Sequence, residues 1–148
     1  MVYHKPFNLR VYGLLINPSN EVLLTDEHRM GMYMCKFPGG GLEYGEGTID
    51  CLKREFDEEL GIAIEIKKHF YTTDYFQKAL FFENTQLISI YYLVESDQWK
   101  EIKTSDKPFD IKDIEGEQSF RWKNIDQLKA EELTFAIDKK VAVMLKEL

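Results

Sequence analysis

The sequence has little of what marks secreted, membrane-spanning or nucleic-acid-binding chains. Only two of its 148 residues are cysteines, Cys35 and Cys51, which is too few for a disulfide framework and favours a reduced, intracellular setting. No apolar run approaches the roughly 18 residues that a membrane helix needs. The first residues, MVYHKPFNLR, lack the apolar core of a signal peptide. We therefore expect a cytoplasmic protein without a membrane partner.

An excess of basic side chains is missing as well. The 26 acidic residues outnumber the 19 basic ones, for a formal net charge of −7 at pH 7. General nucleic-acid binding needs a basic surface, so we expect no nucleic-acid partner. Repeats and low-complexity segments are absent too. With 44% hydrophobic residues the chain can form a core, and its length predicts a single domain over residues 1–148.

What the sequence does have is a glycine-rich stretch followed by a helical pattern, residues 40–62, GGLEYGEGTIDCLKREFDEELGI. Glycines supply the backbone freedom of a tight loop. Thr48 is a residue type that caps helix N-termini. Gly61 stands where a helix closes through a left-handed residue. The pattern therefore predicts a loop feeding a helix over residues 48–60.

The predicted helix has two distinct faces. At about 100° per residue, one apolar stripe is expected to be buried, and it comprises Ile49, Leu52, Phe56 and Leu60. The neighbouring side carries Glu55, Glu58 and Glu59, whose like charges repel one another. A solvated acidic face is the simpler interpretation of such a cluster. A site for divalent cations also accounts for the glycine loop, because hard cations seek clustered carboxylates and often accompany a substrate phosphate.

This stretch resembles the Nudix box, G-x5-E-x7-R-E-U-x-E-E-x-G-U, in which U is a bulky apolar residue. Every specified position is filled, by Gly40, Glu46, Arg54, Glu55, Phe56, Glu58, Glu59, Gly61 and Ile62. The preceding Phe37-Pro38-Gly39 is also similar to the segment that leads into the box. The resemblance implies an α/β fold, namely the Nudix α/β/α sandwich with a mixed sheet flanked by helices.

The resemblance also implies a function and the residues that carry it. The family hydrolyses nucleoside diphosphates linked to another moiety and uses divalent metal, with Mg2+ the expected ion and Mn2+ an alternative. The catalytic positions correspond to Arg54, Glu55, Glu58 and Glu59. The implied metal ligands are the main-chain oxygen of Gly39 and the same three glutamates. Which residue acts as the base differs among relatives, and Glu55 and the acids of the second half of the chain stay open as candidates.

Three members of the box are expected to be structural, namely Gly40, Glu46 and Gly61. Relatives usually add one more acidic ligand from the second half of the chain, and Glu115 is the candidate for it. Glu117 is close behind, and Glu95 and Glu101 are weaker choices. The simpler interpretation of residues 113–117 is an ordinary acidic surface loop. His4 and His69 show no metal-ligand spacing and are expected at or near the surface.

The substrate stays open among nucleoside triphosphates, nucleotide sugars, ADP-ribose and dinucleoside polyphosphates. Two other functions compete with hydrolysis. One is a nucleotide-sensing binding module on the same fold, and the other is an isopentenyl diphosphate isomerase-like enzyme, for which Cys35 lies near the box. A homodimer is common in the family, although no interface is evident in the sequence.

Outside the box, the residue patterns predict strands and a closing helix. The predicted strands cover residues 8–16, 21–25, 86–95 and 118–122, together with one long or bent strand over residues 62–66 and 69–75. An amphipathic helix is predicted over residues 135–148. Residues 26–34 are predicted to form a loop with surface-exposed His28 and Arg29, and substrate contact by Arg29 is the alternative. The aromatic segment 73–82 is predicted to be mostly core strand. The alternative is a substrate-pocket wall that includes Tyr75, Phe76 and Phe81.

Overall fold

The computed structural model describes residues 6–148, so the expectation for His4 lies outside the described residues. In chain order the elements are β1 (Phe7–Leu15), β2 (Glu21–Arg29), β3 (Met32–Lys36), β4 (Gly39–Gly41), α1 (Thr48–Leu60), β5 (Glu65–Thr72), β6 (Gln86–Glu95), β7 (Gln118–Asn124) and α2 (Ala136–Lys146). Short 3-10 turns occur at Trp99–Glu101, Ile125–Gln127 and Ala130–Glu132. No helix among residues 6–148 is long and apolar enough to cross a membrane.

The strands form two sheets. One has four strands in the order β4-β1-β6-β5, and the other has three in the order β3-β2-β7. The first sheet is mixed because β1 runs parallel to β6 and antiparallel to β4. Parallel neighbours require a long crossover connection. Here the chain between β1 and β6 includes β2 to β5 and helix α1.

The two helices cover opposite faces of this framework. Alternate residues of β1 point to opposite sides, with Val11 and Leu15 in the apolar cluster that includes α1. Tyr12 and Leu14 belong to the cluster that includes α2. The prediction of an α/β/α sandwich with a mixed sheet is thereby confirmed.

Helix α1 lies unusually close to β1. A Cβ atom at Gly13 would stand 2.7 Å from Cε1 of Phe56, which is closer than side chains approach one another. Phe56 itself is 1% exposed. The absence of a side chain at position 13 therefore lets the helix, with its carboxylates, pack directly on the central strand.

The prediction of a loop over residues 26–34 is wrong. Strand β2 continues to Arg29 and pairs with β3, which begins at Met32. The strand was not predicted because its polar side chains suggested exposure, whereas in the structure they are buried and paired with one another. Asp26 accepts a hydrogen bond from Nε of Arg121 at 2.8 Å. His28, also expected at the surface, is 8% exposed and stands 2.8 Å from Asp113.

The prediction of a core strand over residues 73–82 is also wrong. The described chain has no strand between Thr72 and Gln86, apart from an isolated bridge at Lys78. Aromatic content suggested burial, yet Phe76 is 70% exposed and Phe82 is 53% exposed. The segment is a loop because it lacks a neighbouring strand along its length.

Two details of the box helix differ from expectation. Gly47, not Thr48, occupies the N-cap position. The Thr48 hydroxyl instead hydrogen-bonds with the Tyr92 hydroxyl at 2.6 Å, which ties the helix start to β6. Ile49, in the first turn, was expected in the buried stripe but is 43% exposed, whereas Leu52 and Phe56 are buried.

Candidate active site

Helix α1 carries Glu55, Glu58 and Glu59, called the box carboxylates below, and packs beside the glycine strand β4, which consists of three glycines. It ends at Gly61, whose φ of 65° is left-handed and whose N–H donates to the Asp57 carbonyl. Such a conformation strains residues with a Cβ atom. Gly61 therefore ends the helix at Leu60, so Glu58 and Glu59 lie in its last turn.

Arg54 joins the loop to the helix through Glu46. Its Nε donates to Oε2 of Glu46 at 3.0 Å and its Nη2 to Oε1 at 2.7 Å, a bidentate pair. Nη2 also donates to the Gly41 carbonyl at 3.2 Å. These hydrogen bonds from Arg54 lower the pKa of Glu46 to about 2. Glu46 therefore remains ionised and holds the loop in place at any neutral pH.

The same guanidinium reaches the neighbouring carboxylates of the helix. Nη1 of Arg54 donates to Glu55 at 3.0 Å and to Glu58 at 3.3 Å. Arg54 thus offsets part of the repulsion between the box carboxylates. The Glu58 side chain is 58% exposed, whereas that of Glu55 is 14% exposed.

The glycine strand lies against Glu55. A Cβ atom at Gly40 would overlap the Glu55 carboxyl group, and one at Gly39 would overlap the Val11 carbonyl. Gly39 also has a φ of 154°, which residues with side chains rarely adopt. Position 39 therefore needs glycine because of its backbone, whereas at position 40 glycine lets the Glu55 carboxylate pack directly on the main chain.

Burial makes two of the box carboxylates reluctant to ionise. It raises the pKa of Glu55, and Arg54 opposes the shift. It raises the pKa of Glu59 to about 7, and the nearby carboxylates Glu27 and Glu55 add to that shift. Partly buried acidic oxygens with too little positive charge around them match the chemistry of a hard divalent cation. Within residues 6–148, however, no three His, Cys, Asp or Glu side chains are already arranged to hold a metal ion.

Glu27 is a member of this site that the sequence analysis missed. Its side chain is 2% exposed, with Nε of Arg29 at 2.7 Å and Nζ of Lys36 at 3.4 Å. The alternation Thr25, Glu27, Arg29 was the available signal, because every second residue of a strand faces the same side.

A cavity of about 210 Å3 includes Arg29 and Lys36 in its lining, and both of these cations act electrostatically on Glu59. Its lining includes three groups of residues. Cationic side chains come from Arg10, Arg29 and Lys36, aromatic side chains from Phe81, Phe82 and Phe135, and the buried end includes Tyr91 and Asp138. An apolar cavity with a few converging polar groups is the usual form of a small-molecule site.

The buried end of the cavity is polar. The Tyr91 hydroxyl donates to Oδ1 of Asp138 at 2.5 Å. Burial raises the pKa of Asp138 to about 6, and the hydrogen bond from Tyr91 opposes that shift. The sequence analysis predicted an amphipathic helix here but assigned it no site residue, and an acid among its buried residues was the available signal.

The structure separates the substrate-contact candidates. Arg29 and Phe81 line the cavity, whereas Tyr75 and Phe76 do not. Tyr75 instead faces Nζ of Lys140, which lies 5.1 Å from the ring centroid. Phe76 points to solvent with 70% of its surface exposed.

Glu115 lies in the segment that precedes β7 and contacts the turn between β2 and β3. Its Oε1 accepts a hydrogen bond from the Met30 N–H at 2.7 Å, and Met30 lines the cavity. Glu117, two residues further along the chain, also contacts β2, because its carbonyl accepts a hydrogen bond from the His28 N–H at 2.9 Å.

Comparison with solved structures identifies similar folds. The MutT protein from Methanosarcina mazei Go1 is 18% identical with a TM-score of 0.69, covering 99% of this chain and 97% of that chain. A Nudix hydrolase from Nitrosomonas europaea is 20% identical with a TM-score of 0.67, covering 95% of this chain and 88% of that chain. At such identities the likeness concerns the fold alone.

Sequence comparisons point to the same family. Residues 6–144 match the model of the NUDIX domain. An RNA pyrophosphohydrolase from Ruthia magnifica subsp. Calyptogena magnifica is 29% identical over 65 residues. That match covers 44% of this chain and only 35% of the relative's length.

Proposed function

The chain belongs to the Nudix family of pyrophosphohydrolases, which act on nucleoside diphosphate derivatives, and from this premise we propose that it is a divalent-metal-dependent hydrolase of a nucleoside diphosphate linked to another moiety. One observation carries the proposal. Arg29 and Lys36 line the cavity, and the same two cations act electrostatically on Glu59. A molecule with an apolar ring in the cavity would thus direct its phosphates toward the box carboxylates.

The substrate classes that fit are those with a ring system beside a diphosphate. They are nucleoside triphosphates, nucleotide sugars, ADP-ribose and dinucleoside polyphosphates. The aromatic wall of the cavity suits stacking of a base, because every base has an apolar face. Arg29 and Lys36 suit the phosphates, since a guanidinium or ammonium donates charge-assisted hydrogen bonds to their oxygens.

Nudix hydrolases generally use divalent metal ions. The residues proposed to hold Mg2+, or Mn2+ in its place, are Gly39 through its main-chain oxygen, Glu55, Glu58, Glu59 and Glu115. When bound, such an ion neutralises phosphate charge and lowers the pKa of a coordinated water. Arg54 and Glu46 orient Glu55, and Gly40 gives its carboxylate room. A carboxylate with a pKa near neutrality suits proton transfer, so Glu59 would serve as the base if the other residues hold the ion. A cation bound to Glu59 itself would lower that pKa and make it a ligand instead.

Both alternatives are less well supported. An isomerase-like role would need Cys35 in the cavity, but Cys35 is completely buried, does not line it, and stands 3.4 Å from Nη2 of Arg121. Burial also raises the pKa of its thiol, which makes the thiolate scarce. A nucleotide-sensing module has no need of box carboxylates, and here every box position is filled.

The experiment that tests the proposal is a panel of the four substrate classes plus isopentenyl diphosphate, incubated with Mg2+ or with excess chelator. We expect phosphate-bearing products from at least one nucleotide class with Mg2+ and none with chelator. Turnover that continues in chelator contradicts the metal requirement. Tight nucleotide binding without any product would favour the sensing module, and isomer formation would favour the third function.

The cavity wall provides a prediction on substrate affinity. Phe81 lines the cavity and packs edge-on against Phe135, with ring centroids 6.5 Å apart. Because stacking on an aromatic ring contributes about 1–3 kcal/mol per base, Phe81→Ala should raise KM for the best nucleotide roughly tenfold. Phe76→Ala is the matched control, since Phe76 lies outside the cavity. Equal KM values for the two variants in steady-state assays would contradict substrate stacking on Phe81 and indicate that its role is structural.

A further inference from the structure

The register of β2 brings an acid and two cations together. Thr25, Glu27 and Arg29 are alternate residues of β2 and therefore face the same side. Lys36 of β3 is the direct partner of Thr25, which places it diagonally across from Glu27, within reach of a long side chain. Gln118 of β7 is the direct partner of Glu27 on the other side.

Every oxygen of the Glu27 carboxylate has a partner. Oε1 accepts from Nε of Arg29 at 2.7 Å. Oε2 lies 3.4 Å from Nζ of Lys36 and also accepts from the Thr25 hydroxyl at 3.3 Å and from Nε2 of Gln118 at 3.4 Å. A buried charge needs such pairing to be tolerated. These contacts hold Glu27, and with it both cations, in one arrangement.

This arrangement leaves the ends of the cations available. Glu27 engages only Nε of Arg29, and within the described residues Nη1 and Nη2 of Arg29 make no hydrogen bond. The Arg29 side chain is 46% exposed, whereas that of Lys36 is 11% exposed, and both line the cavity. A guanidinium whose terminal nitrogens project from a fixed Nε is suited to bidentate recognition of phosphate oxygens.

We propose that Glu27 is a positioning residue that fixes Arg29 and Lys36 as a two-cation site for the substrate's phosphates, between the cavity and the box carboxylates. Glu27 touches no substrate and acts through the two cations. The proposal rests on the function proposed above, because it assigns the two cations to the phosphates of that substrate.

Charge and geometry predict opposite effects for a Glu27→Gln variant. Glutamine has almost the same shape, so the substitution removes one negative charge near the phosphates. If Glu27 mattered only through its charge, anions would bind more tightly to the variant. If Glu27 holds the cations in place, anions should bind more weakly, because the charge-assisted bonds that orient Arg29 and Lys36 are weakened.

The test measures binding of inorganic pyrophosphate by calorimetry, with chelator present so that no turnover and no metal contribute. Arg29→Ala, Lys36→Ala and Glu27→Gln should each weaken pyrophosphate binding roughly tenfold. Glu21→Gln, on the same strand but at its other end, is the matched control and should bind as the wild type does. A Glu27→Gln variant that binds pyrophosphate equally or more tightly overturns the proposal.

A double-mutant comparison shows whether Glu27 acts through Arg29. Glu27→Gln should weaken binding much less in an Arg29→Ala background than in the wild type, because residues of one network are not additive. Full additivity would contradict the positioning role. If Glu27→Gln does not fold, Glu27→Asp keeps the charge but withdraws the carboxylate from both cations, and the same loss is expected.

Failure of the Glu27 proposal can be distinguished from failure of the proposed hydrolase function. Pyrophosphate binding that depends on Glu27, in a protein that hydrolyses no member of the nucleotide panel, would sustain the anion site and reject the hydrolase. With an active enzyme, Glu27→Gln should raise KM by a larger factor than it lowers kcat. The aromatic wall of the cavity is unchanged, and loss of the Glu27 charge reaches Glu59 only by lowering its pKa. A fall in kcat alone would contradict a phosphate-binding role.

Discussion

Glu59→Gln is expected to lower kcat by about 10²–10⁴-fold, the usual contribution of a positioned proton-transfer group. Glutamine keeps the shape of the side chain but can neither accept a proton nor offer a full negative charge to a cation. Asp57→Asn is the matched control, because Asp57 is an exposed acid two residues away on the same helix. Steady-state kinetics with saturating Mg2+ measure both, and the control should retain wild-type turnover.

The stability of Glu59→Gln relative to the wild type separates a role in function from a role in folding. Burial raises the pKa of Glu59 from its ordinary value of 4.5 to about 7, so the folded protein binds the proton more tightly than the unfolded chain. The contribution of Glu59 to folding stability is therefore fully present below pH 4.5 and is lost as the pH rises through about 7. In chelator at pH 8, Glu59→Gln should exceed the wild type in unfolding free energy by on the order of 3 kcal/mol. At pH 4 the variant and the wild type should have equal unfolding free energies.

Thermal or denaturant melts in chelator at both pH values test this expectation. A Glu59→Gln variant that is less stable than the wild type at pH 8 would show that Glu59 serves the fold. Adding Mg2+ should stabilise the wild type more than the variant, because a ligand that binds only the folded state raises its stability.

Gly40→Ala is expected to reduce kcat about a hundredfold while leaving the protein folded. The added methyl would overlap the Glu55 carboxyl group, which is the mobile end of a side chain and can move aside. A displacement of about 1 Å at a catalytic group is enough for such a loss. Circular dichroism and a melt check the fold, and kinetics measure the loss.

Gly41→Ala provides a closely matched control. At the next position, a Cβ atom would meet only Nη1 of Arg10 at 3.6 Å, an ordinary contact. The two variants thus place the same methyl group on the same strand, but only one of them reaches Glu55. Equal activity of the two would mean that the Glu55 carboxylate has no fixed place in catalysis.

The parts of the site that were predictable from sequence are those made by neighbouring residues. The box helix has the predicted bounds, Thr48–Leu60, because its glycines and its apolar spacing act within a few turns. The Arg54–Glu46 pair joins residues of one short segment in the same way. Local interactions of this kind depend little on the remainder of the chain.

The cavity was not predictable because distant segments build it. Its walls combine Arg10 of β1, Lys36 of β3 and Asp138 of α2, and only the sheet order brings these together. Glu27 was hidden for a related reason. A run of polar residues suggests a loop until the partners that neutralise each side chain are known, and those partners lie on β3 and β7.

The parallel pairing of β1 with β6 has a consequence for how the protein is made. On the ribosome, β1 emerges first and can pair with β4, but its other neighbour arrives only after Gln86 has been synthesised. Pairings between segments so far apart in the chain form slowly. The box carboxylates also precede Asp138 and the rest of α2 in the chain, so they leave the ribosome first. A nascent chain thus has its reactive groups before it has the cavity that holds a substrate beside them.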